Sequence, residues 1–312
     1  MHPQVTMDVE RALEVLRNGG LVAIPTETVY GLAADASNAA AVRRIFAVKA
    51  RPVDHPLIVH IAAADQMPRW CDDVPVPALL LADACWPGPL TVLIPRAAHV
   101  LAEVTGDRAT VGLRVPAHPL TNELLTRFGG GLAAPSANRF GRVSPTTAAH
   151  VVADLGHDVD LILDGGPCPV GVESTIVDCT VRPPQVLRPG GIPSEQIALL
   201  LDQALAAPSG TSRAPGMLES HYAPRCRVVL AETAADAGTI AADLDAAEAN
   251  GATVIGDGVE LVDYARNLYR WLREADEAGH KTVVAVVPPA SGLGHAIRDR
   301  LLKASAGPGR DG

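Results

Sequence analysis

The sequence predicts an α/β protein with a twisted mixed sheet in its N-terminal part and a small Rossmann-like, three-stranded parallel domain at its C-terminus. Short apolar runs bounded by proline or glycine alternate with helical periodicity over the first two thirds of the chain. Several runs follow one another closely enough to pair antiparallel, which favours a mixed sheet. Beyond residue 224 strands and helices alternate regularly, as in parallel strands joined by crossover helices.

The N-terminal part begins with a predicted helix over residues 8–18, because Val9, Leu13 and Leu16 share one face and two glycines follow. The buried strands expected from apolar runs are LVAIPT (21–26), LIVHI (57–61), LTVLIP (90–95), TVGLRVP (110–116), GLAAPS (131–136), LILDG (161–165) and STIVD (174–178). Further helices are expected near 38–50, 76–85, 118–128 and 146–155.

The C-terminal part contains three predicted strand–helix units. Its strands are CRVVLAE, ATVIG and TVVAVVP, and its helices are expected at 234–249, 260–278 and 294–304. The loop SGLGHAI resembles half of a dinucleotide-binding fingerprint. It lacks the third glycine and the acidic residue after the next strand, so a tight turn that opens a helix is the preferred interpretation.

These patterns divide the chain into an N-terminal domain (1–205), a connecting segment (206–224), a C-terminal domain (225–305) and a disordered tail (306–312). The connecting segment starts as a loose run and then becomes specific, with a Pro-Gly turn followed by Met217, His221 and Tyr222. We expect it to fold over a pocket of the N-terminal domain as a lid, the alternative being that Met217 and Tyr222 only pack the domain interface.

Composition limits the possible functions. The formal net charge of −9 argues against a broad nucleic-acid-binding surface. Five cysteines without a CxxC pair are typical of reduced thiols, and neither a signal peptide nor an apolar run of about 18 residues is present. The sequence therefore predicts a cytoplasmic protein that is not inserted in a membrane.

Polar clusters follow several of the predicted strands. PTETVYGLAAD (25–35) is either a polar turn or a ligand-binding strand edge. Lys49 and Arg51 complement a helix C-terminus or clamp a polyphosphate. In APSANRFGRVSPTT (134–147), Ser144 is either a simple helix cap or part of an anion cradle. Arg114 interrupts an apolar strand, so we expect its charge to be paired with a carboxylate of the protein or of a ligand.

Taken in order, the motifs resemble one family. PTETVYGL, KxRP with PLIVH, WPGPLT, VGLRVP, APSAN, ESTIVD, LRPG and PGMxxxHYAP occur in sequence along the chain. This order is similar to the YrdC-like threonylcarbamoyl-AMP synthases in their long form with an extra C-terminal domain. The resemblance implies a nucleotidyltransferase that converts L-threonine, bicarbonate and ATP, with Mg²⁺, into threonylcarbamoyl-AMP and pyrophosphate. A tRNA-modifying threonylcarbamoyl transferase would take the product to the adenosine beside the anticodon.

The resemblance also implies residue roles. Catalysis would involve Lys49 and Arg51. ATP would contact Arg51, His55, Thr110, Ser136, Asn138, Ser144, Arg188 and Tyr222, and L-threonine would contact Thr28, His60, Arg114, Ala134 and Ser174. No protein side chain is assigned to a metal.

The sequence departs from the family pattern at three places. His55 stands where asparagine is common, Ala50 replaces a frequent glycine, and Leu218-Glu219-Ser220 replaces basic or aromatic residues. Two other functions remain open from the sequence, a double-stranded RNA-binding module and a carbamoyltransferase that uses carbamoyl phosphate. The net charge opposes the first, and the second occurs in larger proteins with further catalytic domains.

Overall fold

The computed structural model describes residues 4–207, 215, 222–247 and 251–307. Most of the predicted lid, including Met217 and His221, therefore lies outside the described residues, as do residues 308–312 of the predicted disordered tail. No helix in the described ranges is long and apolar enough to cross a membrane.

Within the described residues, one ten-stranded mixed sheet forms the N-terminal part in the order β1-β8-β2-β3-β7-β4-β6-β5-β9-β10. Its strands are β1 (Gln4–Thr6), β2 (Val22–Ile24), β3 (Gly31–Asp35), β4 (Ile58–His60), β5 (Leu90–Pro95), β6 (Thr110–Arg114), β7 (Leu132–Ala133), β8 (Leu161–Leu163), β9 (Thr175–Asp178) and β10 (Gln185–Arg188). Parallel pairs such as β4 with β6 alternate with antiparallel pairs such as β5 with β6, which confirms the predicted mixed sheet.

Helices pack against this sheet. They are α1 (Val9–Arg17), α2 (Ala39–Lys49), α3 (Val76–Cys85), α4 (Ala102–Thr105), α5 (Pro119–Phe128), α6 (Ala148–Leu155) and α7 (Ser194–Leu201). Asp8 caps α1 by accepting a hydrogen bond of 2.9 Å from the Glu10 amide. Ala50 ends α2 in the left-handed region with a φ of 51°, so the chain turns sharply between Lys49 and Arg51.

The C-terminal unit consists of β11 (Arg227–Ala231), α8 (Ala234–Ala247), β12 (Ala252–Ile255), α9 (Leu261–Glu277), β13 (Thr282–Val286) and α10 (Gly294–Ser305). In the described ranges its three strands form a parallel sheet in the order β11-β13-β12, as predicted. Its α9 buries the expected stripe, which includes Ala265, Leu268 and Leu272.

The two parts share one apolar core cluster. Val29, Val143 and Val172 of the N-terminal part pack in the same buried cluster as Tyr264 and Leu268 of α9. A partly buried ion pair also joins the parts, because Arg273 Nη2 lies 2.6 Å from Asp154 Oδ2. The C-terminal unit is therefore docked on the larger sheet through a continuous interior.

Some predicted elements differ from the observed ones. The strand expected over 131–136 is restricted to Leu132–Ala133, since Pro135 has no amide hydrogen to continue the ladder. The sequence patterns did not predict the elements β1, β3, β10, α4 and α7. β3 was assigned to a polar turn or edge because the threonines and glutamate of PTETVYGL precede its apolar residues.

Candidate active site

A cavity opens beside the ends of β4, β6 and β10. Of the residues implied by the sequence, those in its wall are Thr28, Arg51, His60, Arg114, Ala134, Ser136, Ser174, Arg188 and Tyr222. Residues that lie far apart in the sequence therefore meet at one site.

Arg114 and His60 are neighbours across the sheet. They pair in register at the ends of the parallel strands β6 and β4, which places both side chains at the same edge. Burial, together with the nearby Arg114, lowers the pKa of His60 to about 3, so its imidazole is neutral near pH 7. Within the described residues the buried Nδ1 atom of His60 has no hydrogen-bond partner, so it is available to a ligand.

Arg114 forms an ion pair with a carboxylate of the protein. Its Nη2 atom lies 2.6 Å from Glu27 Oε1 in a buried ion pair, and Glu27 Oε2 accepts a hydrogen bond of 2.9 Å from the Ala117 amide. The Nε atom of Arg114 donates a hydrogen bond of 3.3 Å to the Gly88 carbonyl, and the side chain still lines the cavity. The sequence had left open which carboxylate would meet Arg114, and the structure identifies Glu27 as its partner inside the protein.

Two further guanidinium groups face the cavity. Arg51 and Arg188 are 8% and 4% exposed, and neither forms a salt bridge with a carboxylate of the described residues. Burial, reinforced by Arg188, lowers the pKa of Arg51 to about 10, which leaves it charged near pH 7. Arg188 is held by Ser174, whose carbonyl oxygen lies 2.9 Å from Arg188 Nη2. Buried cations without an anionic partner are expected where a ligand supplies the negative charge.

Lys49 points away from the cavity wall. Its Nζ atom donates to the carbonyl oxygens of Ser136, at 2.5 Å, and of Asn138. Burial lowers the pKa of Lys49 well below its usual value of 10.5. The lysine thus fastens the loop that carries Ser136 into the cavity, and a direct contact with phosphates stays a prediction.

The remaining predicted ATP contacts are not among the residues that line the cavity. The His55 ring meets the Phe140 ring edge-on at a centroid distance of 5.4 Å, and burial lowers the His55 pKa. Asn138 Nδ2 donates to the carbonyls of Arg139 and Arg142, each at 2.8 Å. Thr110 opens β6 opposite Pro95. The structure does not test the roles of these side chains with ATP.

Tyr222 and Pro215 bring the connecting segment to the cavity. Both line the wall, and the Pro215 carbonyl accepts a hydrogen bond of 3.3 Å from Arg188 Nη1. Tyr222 is 1% exposed and has a φ of 62°, a left-handed conformation that few residues other than glycine adopt. The surrounding packing must therefore hold this residue in place.

Glu173 is a charged residue of the cavity wall to which the sequence motifs gave no role. It lines the wall beside Ser174 and accepts a hydrogen bond of 2.6 Å from Ser144 Oγ. In the sequence, its position directly before the serine of ESTIVD was the signal that could have indicated a role at the site. Its partners lie in the C-terminal unit, more than 90 residues away, so the sequence alone could not identify them.

The side chains near the cavity do not build a metal site. Among the described residues no cluster of three histidine, cysteine or carboxylate side chains could hold a metal ion. The two nearby carboxylates, Glu27 and Glu173, are both engaged by arginines. The donor set suits anions rather than a resident cation.

Comparison with known proteins identifies the family of this chain. A family model described as Telomere recombination, covering Sua5, YciO and YrdC proteins, matches residues 14–190. A second model, described as the threonylcarbamoyl-AMP synthase C-terminal domain, matches residues 192–306. The chain belongs to the Sua5–YciO–YrdC family, in the form that carries this C-terminal domain.

Relatives extend the match over nearly the whole chain. The threonylcarbamoyl-AMP synthase of Pyrococcus abyssi is 40% identical over 93% of this chain and 92% of its own length. The enzyme of the same name from Bacillus subtilis is 38% identical over 96% and 93%. A crystal structure of P. abyssi Sua5 complexed with L-threonine superposes with a TM-score of 0.90 at 38% identity, covering 96% of this chain and 94% of that one.

Proposed function

We propose that this chain synthesises threonylcarbamoyl-AMP from L-threonine, bicarbonate and ATP, with release of pyrophosphate. The observation that carries the proposal is the cavity in which Arg51 and Arg188 have no carboxylate partner among the described residues, while Arg114 and neutral His60 lie at its other side. Relatives named threonylcarbamoyl-AMP synthase match nearly the full chain and support this reaction.

The chemistry requires two anions to approach each other. The amine of threonine and bicarbonate give a carbamate and water, and a carbamate oxygen then attacks the α-phosphorus of ATP. An oxygen–phosphorus bond forms, the bond between the α-phosphorus and the bridging oxygen breaks, and pyrophosphate leaves with the electron pair. No protein nucleophile is needed, so the protein contributes orientation, charge and exclusion of water.

The cavity has groups suited to each half of this reaction. We propose that Arg51 and Arg188 neutralise the phosphates, and that Ser136 and Tyr222 contact the nucleotide. His55, Thr110, Asn138 and Ser144 would act from the surrounding wall, with Lys49 holding the loop.

Threonine would occupy the opposite side. We propose that the Arg114 guanidinium binds its carboxylate, while Thr28, His60, Ala134 and Ser174 surround the rest of the amino acid. A buried arginine beside a neutral histidine can bind a carboxylate that stays ionised.

Mg²⁺ is proposed to enter with ATP as part of the substrate, bound to phosphate oxygens. The pairing of Glu27 and Glu173 with arginines supports this, because neither carboxylate is left to hold a resident ion. We propose further that the enzyme works in the cytoplasm and passes its product to a tRNA-modifying threonylcarbamoyl transferase. We also propose that the chain consists of an N-terminal domain (1–205), a connecting segment (206–224) and a C-terminal domain (225–305).

Mass spectrometry tests the reaction directly. The purified protein is incubated with ATP, Mg²⁺, L-threonine and ¹³C-bicarbonate, and we expect a product with the mass of threonylcarbamoyl-AMP carrying one ¹³C atom. Pyrophosphate should appear in equal amount. Reactions without threonine, and with D-threonine in its place, serve as controls.

Two outcomes would contradict the proposal. Product formation from carbamoyl phosphate but not from bicarbonate would indicate a carbamoyltransferase. RNA binding with a steep salt dependence and no pyrophosphate release would indicate an RNA-binding module.

A further inference from the structure

The Glu173 carboxylate lies where the cavity meets the C-terminal unit. Besides the Ser144 hydroxyl on Oε1, its Oε2 atom accepts a hydrogen bond of 2.8 Å from the Tyr269 hydroxyl and lies 2.9 Å from Arg300 Nε. Tyr269 belongs to α9 and Arg300 to α10. Among the described residues, two of the three side chains that hold this cavity carboxylate therefore come from the C-terminal unit.

Arg300 also contacts the backbone next to Arg188 and the ring of Tyr222. Its side chain is fully buried, and Nη1 donates hydrogen bonds of 2.8 Å to the carbonyl of Pro189, the residue after Arg188, and of 2.7 Å to Asp299 Oδ2. Its guanidinium carbon lies 5.1 Å from the centre of the Tyr222 ring. Within the described residues Nη2 has no hydrogen-bond acceptor.

Tyr269 completes the contact with Tyr222. The two rings stack with centroids 5.7 Å apart and planes inclined by 27°. Tyr222 thus contacts both Tyr269 and Arg300, and these contacts help to hold its left-handed backbone in place. Side chains of the C-terminal unit therefore hold both Glu173 and Tyr222.

The charge of Glu173 matters because the cavity is proposed to take up anions. Burial opposes ionisation of Glu173, but Arg300 and Arg188, with hydrogen bonds from Ser144 and Tyr269, outweigh it and hold its pKa at about 2. The carboxylate is therefore ionised near pH 7. Without Arg300 it would repel a triphosphate and would draw Arg188 toward itself.

We propose that Arg300 is a positioning residue for the catalytic cavity, acting from the C-terminal unit by neutralising Glu173 and holding Tyr222 so that the phosphates of ATP can bind. The inference rests on the proposed function. It assigns the C-terminal unit a part in building the nucleotide site.

A double-variant cycle tests this inference. Arg300→Met keeps the length of the side chain and removes its charge, and we expect ATP affinity, measured by calorimetry, to fall at least tenfold while threonine affinity changes much less. Adding Glu173→Gln to Arg300→Met should recover most of the loss, because the uncompensated negative charge is then gone. Arg300→Lys should lie between wild type and Arg300→Met, and the KM for ATP should change more than kcat.

His295→Ala is the matched control. His295 lies on the same helix and contacts the N-terminal part through Glu195 at 3.2 Å, but it is partly exposed and its ion pair is with Glu195 rather than with Glu173. If Arg300→Met does not fold, Tyr269→Phe provides the same test, because it removes one hydrogen bond to Glu173 and keeps the ring beside Tyr222. Its expected effect has the same direction and is smaller.

The outcomes separate the inference from the function on which it rests. A wild-type protein that forms no threonylcarbamoyl-AMP would refute the proposed function itself. An active wild type whose Arg300→Met or Tyr269→Phe variant binds ATP normally would overturn the role of Arg300. So would a loss that falls equally on both substrates and is not recovered by Glu173→Gln, since that pattern describes a purely structural residue.

Discussion

Arg114 shows how one side chain can serve both the protein and a ligand. Its ion pair with Glu27 offsets the penalty of burying an isolated guanidinium, while the side chain still lines the cavity. The sequence predicted that a carboxylate would meet this arginine, but it could not identify Glu27, which is 87 residues away and joined to it only by the sheet.

We predict that Arg114→Leu weakens threonine binding at least tenfold, about 1.4 kcal/mol, and changes ATP binding much less. The variant removes the proposed partner of the threonine carboxylate and leaves Glu27 as an uncompensated negative charge beside the site. Calorimetry with each ligand separately measures the two effects. Equal losses for both ligands would mean that Arg114 is only a structural centre of the sheet edge.

Arg51 is expected to matter most for the chemical step. We predict that Arg51→Ala lowers pyrophosphate release more than tenfold, because the phosphates lose a buried guanidinium that no described carboxylate neutralises. A coupled pyrophosphate assay measures the rate. Arg43→Ala is the control, since Arg43 lies on α2 near Lys49 but is exposed and paired with Glu103. Retention of more than a tenth of the wild-type rate would remove Arg51 from the site.

At the scale of elements, α2 and the loop after β7 depend on each other through Lys49. Helix α2 ends at Lys49, whose ammonium group binds the carbonyls of Ser136 and Asn138. The Phe140 amide also donates a hydrogen bond of 2.8 Å to the carbonyl of Lys49. The end of one helix therefore sets the shape of a loop that enters the cavity.

The variant Lys49→Met distinguishes two roles for this lysine. If it anchors the loop, hydrogen exchange at residues 136–142 should quicken in the free protein, and ATP binding should weaken as a consequence. If it contacts phosphates instead, ATP binding should weaken with no change in exchange. We expect the first result, because Lys49 Nζ already donates to both carbonyl oxygens.

Elements with clear periodicity were predictable, and elements set by distant partners were not. The stripe of α9 and the three parallel strands of the C-terminal unit agree with the sequence expectation. The short strands β1 and β10 did not stand out, because they have three and four residues and are defined by pairing with β8 and β9. The motifs predicted much of the cavity wall, whereas the network around Glu173 depends on the docking of two sheets.

At the scale of the whole molecule, the buried charge of Glu173 links stability to pH. Its pKa is about 2 in the folded protein and 4.5 in an unperturbed carboxyl, so the unfolded chain takes up the proton first as the pH falls. The stabilisation is complete above pH 4.5 and is lost progressively toward pH 2. We predict that the difference in unfolding free energy between wild type and Glu173→Gln, measured by urea denaturation, narrows over this interval. A constant difference would contradict the assigned ionisation.

The continuous interior between the two parts predicts their behaviour on heating. Since Val29, Val143 and Val172 share a buried cluster with residues of α9, separation of the two parts would expose apolar surface on both. We expect calorimetry to give one unfolding transition. Two well-resolved transitions would show that each part is stable without the other.

The same cluster constrains how such a chain could be shortened in evolution. A protein that kept the ten-stranded sheet and lost the C-terminal unit would present Val29, Val143 and Val172 to water. It would need polar substitutions at these positions, a second copy of itself, or another protein to cover them. The arginine that balances Glu173 would be lost in the same event, so a viable short form should also have replaced that carboxylate or acquired a new cation beside it.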